Sequence, residues 1–97
     1  MSSKKIAIAE KALKILVRQL SGQMKETDPI IPAAIIKGDG HIWAWDPFNK
    51  QMRQIDRGIT VYILTEDYDS QNRALIYCSN ADIICLDMDE IEEIGFN

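Results

Sequence analysis

Ninety-seven residues confine the chain to one domain with one modest core, and 46% hydrophobic with 27% charged residues is an ordinary globular composition that argues against disorder. A net charge of −4 argues against generic DNA binding, whose affinity comes from neutralising phosphates. No run approaches the roughly 20 apolar residues of a membrane span, and Glu10, Lys11 and Lys14 interrupt any signal-peptide core.

The charge is unevenly placed. Residues 1–65 carry ten Lys/Arg against six Asp/Glu, whereas residues 66–97 carry Arg73 against nine acids. The acids are either solvated loops or a patch that meets a basic partner. Cys78 and Cys85 are the only cysteines, too few for a small disulfide scaffold, so a cytoplasmic protein with two reduced thiols is expected.

In chain order, residues 4–21 are predicted to form an amphipathic helix. Ile6, Ala9, Leu13, Leu16, Val17 and Leu20 recur at helical spacing, Ser3 can cap the start and Gly22 the end. Ile8, Ala12 and Ile15 widen the apolar stripe, which implies that the helix has two neighbours. Residues 22–32 form a connector kept extended by Pro29 and Pro32. From there the period changes to two. Strands are expected at 33–37, 41–46, 50–56, 59–66, 73–79 and 82–87, the last two joined about Asn80-Ala81. Residues 88–94 are expected to make a short helical turn. The predicted fold is α+β: an N-terminal amphipathic helix packed on a roughly five- to six-stranded antiparallel meander over 33–87.

The last hairpin is apolar on both faces. With a turn at Asn80-Ala81, Cys78 and Ile76 lie opposite Ile83 and Cys85 on one face, and Leu75, Tyr77, Ile84 and Leu86 occupy the other. Either the hairpin is wrapped in a small barrel with the helix outside, or a second subunit covers one face. The order of a helix, a strongly bent meander and a short helical turn resembles the layout of SH3-like and Sm-like small barrels. That resemblance implies binding through surfaces and assembly by edge strands, and carries no binding residues with it.

Catalytic parts are not visible. His41 is the only histidine and has no acid partner nearby in sequence. Cys78 and Cys85 are too far apart for the close pairs of zinc sites, and they are not opposite each other as a disulfide would require. A calcium loop begun at Asp67 would need glycine at Asn72 and glutamate at Cys78. No enzyme activity, cofactor or metal is therefore expected.

The strand His41-Ile42-Trp43-Ala44-Trp45 places both tryptophans on one side. Either the indoles roof the core beneath the helix, or Ile42 and Ala44 point inward. The indoles then form an exposed platform for a nucleotide or a protein, with Arg53, Arg57 or Lys50 nearby. Three functions follow as expectations. The first is an interaction module that binds itself or another protein through Leu13, Leu16, Val17, Leu20, Leu75, Tyr77, Ile84 and Leu86. The second is a small-ligand or nucleotide binder using His41, Trp43, Trp45, Arg53 and Arg57. The third is an acidic inhibitor of a nucleic-acid-handling protein.

Overall fold

A computed structural model describes residues 3–66, 68–69 and 71–96. Among these residues one helix, α1 (Ser3–Leu20), precedes seven strands: β1 (Pro32–Ile36), β2 (His41–Asp46), β3 (Gln51–Asp56), β4 (Thr60–Thr65), β5 (Arg73–Cys78), β6 (Ile83–Asp87) and β7 (Ile91–Phe96). All pairings are antiparallel, in the order β3-β2-β6-β5-β4-β1-β7. The α+β class with its strand meander stands. Its path includes one excursion: the β2–β3 hairpin leaves after β1, and β4 returns to pair with β1.

Helix α1 stops where its backbone carbonyls find other donors. Gly22 takes φ 75°, and the Gln23 N–H donates to Arg18 O at 2.8 Å, closing a glycine C-cap. The connector is then tied back to the helix. Arg18 donates twice to the Asp28 carboxylate, at 2.8 and 2.7 Å. The Gln19 amide pairs with both backbone groups of Ile31, its Nε2 donating to Ile31 O at 3.1 Å and its Oε1 accepting from Ile31 N at 2.8 Å. These bonds aim the chain into β1.

The sheet curls around an inner core and carries α1 on its outer face. Ile55 near one sheet edge and Ile91 near the other lie in the same inner cluster, with Ile36, Val61, Ile76 and Ile84 between them. The curl is held where strand ends meet: Gly58 N donates to Ile36 O at 2.7 Å, and Arg57 N to Gly40 O at 2.8 Å. β3 and β7 do not pair, so the barrel is not closed. Ala9, Ala12, Ile15 and Leu16 of α1 pack outside on Leu64, Leu75, Cys85 and Tyr68.

Three expectations need correction. Residues 88–94 are not one helical turn: a 3-10 turn spans Met88–Glu90, and the chain continues as β7, paired along β1. This raises the strand count to seven. The β5–β6 register also differs by one residue, with Tyr77 opposite Ile83 and Leu75 opposite Cys85. Ala81 adopts φ 75° and the Cys78 N–H reaches Asp82 O at 2.8 Å, so the loop is longer than a two-residue turn. A one-residue slip exchanges faces. Ile84 and Leu86 therefore join Ile76 and Cys78 inside, while Cys85 joins Leu75 under the helix. Both hairpin faces are covered from within the chain, as the barrel alternative required.

Candidate functional site: an exposed aromatic shelf

Helix α1 is narrower than the sheet it covers. It packs on β4 and reaches β5 and β6, leaving the outer face of β2 and β3 bare. The alternation of β2 turns Ile42 and Ala44 into the inner core and the indoles outward. Trp43 is 62% exposed and Trp45 39%, which removes the possibility that they roof the core. Across the β2–β3 ladder Met52 faces Trp45, Gln54 faces Trp43 and Asp56 faces His41. Met52 is 51% exposed. The three large side chains thus form one apolar shelf, with Phe48 exposed at the turn beside it.

The ends of the shelf are polar. His41 Nδ1 lies 2.7 Å from Asp56 Oδ1 at one end. Toward the middle of the sheet, β2 meets β6 through the pair Trp45 with Cys85. A cleft of about 290 Å³ opens along this junction, bordered by Trp43, Trp45, Met52, Arg73, Asp87 and Glu90. Arg73 stands between two carboxylates, 3.4 Å from Asp87 and 3.9 Å from Asp69.

Two of the three cations expected beside the indoles, Arg53 and Arg57, are engaged elsewhere. Arg53 faces Ala44 in register and so lies on the inner side of the sheet. Its Nε donates to Asp46 Oδ2 at 2.7 Å, and its Nη1 lies 3.7 Å from Asp82. Arg57 Nη1 donates to Lys37 O at 2.8 Å and Glu90 Oε2 at 2.7 Å, and its side chain lies against Gly38. Arg57 is a strut between strand ends.

Asp46 organises the turn that carries the shelf. Its side chain is 2% exposed, and burial alone would raise its pKa. Hydrogen bonds from the Asn49 amide group, Arg53 and the Asn49 and Phe48 backbone N–H groups more than offset this and bring it down to about 2. The Asp-Pro-x-Asn run at 46–49 was the available signal: an aspartate that accepts from the backbone it precedes.

No protein-family model, curated protein or solved structure matches the chain. Its chemistry rests on its own residues.

The other anticipated residues fall into two groups. Leu16, Leu75, Ile84 and Leu86 are buried in the chain's own cores, and Leu13 and Tyr77 are packed against the outer one. The buried four cannot form a surface between copies, because the helix and the curled sheet already cover them. Val17 and Leu20 are exposed, 60% and 52%, on the flank of α1. Among the described residues the helix packs on the sheet and on Ile31 of the connector. Cys78 and Cys85 are free thiols on opposite faces of the hairpin. Burial pushes Cys78 up to about 12 and Cys85 up to about 11, so both stay protonated at neutral pH. Among the described residues no group of three or more His, Cys, Asp or Glu is placed to hold a metal. Nor, among them, is any helix long and apolar enough to cross a membrane.

Proposed function

We propose that this chain is a non-catalytic protein-interaction module that holds a short segment of a partner protein on the outer face of β2 and β3. The observation that carries this reading is the alignment of Trp43, Trp45 and Met52 on one uncovered sheet face. Exposed tryptophans in register have no role in either core. Such residues are the usual energetic centre of protein interfaces.

The charge beside the patch favours a partner's segment over a second copy of the shelf. Two shelves face to face would bring their own acidic borders, Asp87 and Glu90, against each other. The nucleotide alternative loses support because Arg53 and Arg57 are bonded away from the indoles. An acidic inhibitor remains a special case of the same reading, with the partner a basic protein. The reading sets the chain in the cytoplasm, where Cys78 and Cys85 stay reduced.

A random-peptide display selection on the wild-type chain, with Trp43→Ser and Met52→Ser as counter-selections, tests it. Enriched peptides that lose binding to both variants support the reading; enrichment indifferent to both, or none at all, refutes it. A second reading, self-association through α1, is favoured by the exposure of Val17 and Leu20. Light scattering that gives a monomer at high micromolar concentration removes it.

A further inference from the structure

We infer that the segment held on this shelf presents an arginine, whose guanidinium stacks between Trp43 and Trp45 with its charge toward Asp87 and Glu90. The inference rests on the peptide-binding reading above and names the chemistry of the partner.

Spacing is the first argument. Trp43 and Trp45 are two residues apart on one strand, which sets their attachment points roughly 7 Å apart along the sheet. That equals two stacking distances of about 3.5 Å, the thickness needed to seat one planar group between two rings. Trp is the best aromatic partner for a cation, and a guanidinium is the side-chain cation that is also flat. An ammonium gains the charge term without the stacking.

Charge is the second. The cleft beside the indoles is bordered by two carboxylates, Asp87 and Glu90, against one guanidinium, Arg73. Arg73 is already balanced between Asp69 and Asp87. Glu90 accepts from Arg57 through Oε2, which leaves acceptor positions on its other oxygen. Asp87 is exposed, and Arg73 Nε lies 3.4 Å from its Oδ1. Carboxylate acceptors line the cleft, and its one guanidinium already lies between Asp69 and Asp87. A nucleobase would also fit between two rings, but its phosphate would meet carboxylates. The uneven charge of the chain acts in the same sense at longer range, since residues 66–97 contribute one Arg against nine acids.

Titrations followed by tryptophan emission test the inference, with oligo-arginine, oligo-lysine, oligo-glutamate and oligothymidylate as probes. Oligo-arginine should give a saturable change at lower concentration than oligo-lysine, and the two anions should give none. Trp43→Ala should weaken oligo-arginine about tenfold, read by Trp45 emission. Asp87→Asn should weaken it several-fold, and added salt should weaken it further. Both substitutions are at exposed positions, and circular dichroism checks that each variant is folded. Equal or tighter binding of oligo-lysine or either anion overturns the inference. So does oligo-arginine binding that survives Trp43→Ala, or its absence. The display selection separates this failure from that of the parent reading: Trp43-dependent peptides without arginine leave the shelf a peptide site and remove only the arginine.

Discussion

Asp46 stays ionised at 2% exposure because four donors converge on its two oxygens. Two donors are backbone N–H groups of the turn and one is the side chain of Arg53, so a single carboxylate fixes the turn and ties β3 to it. Asp46→Asn removes the charge and replaces one acceptor oxygen with a donor facing Arg53. Urea unfolding should show a loss of about 3 kcal/mol at neutral pH. The same group sets an acid limit. Its folded pKa of about 2 lies below the ordinary carboxylate value, so its stabilisation is complete above about pH 4. As the pH falls from there toward 2 the stabilisation is lost. Asp28, held to about 2 chiefly by Arg18 and then by the Lys25 backbone, adds to the loss in that window. The unfolding midpoint of the wild type should fall steeply across this range, and that of Asp46→Asn less so. The cysteines make the opposite case. With both thiols buried and pushed up to about 12 and 11, a thiol-specific reagent at neutral pH should react only as fast as the chain unfolds.

Strand β7 shows where pattern reading stops and tertiary structure takes over. Its run of glutamates has low strand propensity, and a helical turn is the natural reading of 88–94 in isolation. The strand forms because β1 offers a free ladder and because Ile91 fills the inner core, where it is 6% exposed. Ile91→Ala should therefore cost about 2–4 kcal/mol in urea unfolding, far more than a fraying terminal turn would. Other elements were legible to different depths. α1 was plain from its period, and the two-sided hairpin from its lack of polar alternation. The register of that hairpin was not, because Ala81 takes a positive φ that sequence assigns to Gly or Asn. The side-by-side tryptophans of β2 were legible too. Which way they point was not, since that depends on how far α1 reaches across the sheet. Arg53 was misplaced for a related reason: its partner Asp46 reveals itself only once the turn is folded.

At the scale of the whole molecule, one helix covers part of one sheet face, and the sheet's curl covers the other. Apolar surface that had suggested a second subunit, at Leu75, Ile84 and Leu86, is satisfied inside the chain. Apolar surface stays uncovered at the shelf of Trp43, Trp45 and Met52 and at the α1 flank of Val17 and Leu20, besides Ile8, Met24, Ile30, Phe48 and Ile94. A partner's segment can dock only if the shelf is open in the free protein. Acrylamide quenching of tryptophan emission measures that directly, because both tryptophans of the chain lie on the shelf. An open shelf gives red-shifted, readily quenched emission from low to high micromolar protein, with Trp43 the more accessible indole. Blue-shifted emission that resists quenching throughout would place the indoles in a core and contradict it; protection appearing only as concentration rises would mean that a second copy, and not a partner's segment, occupies the shelf.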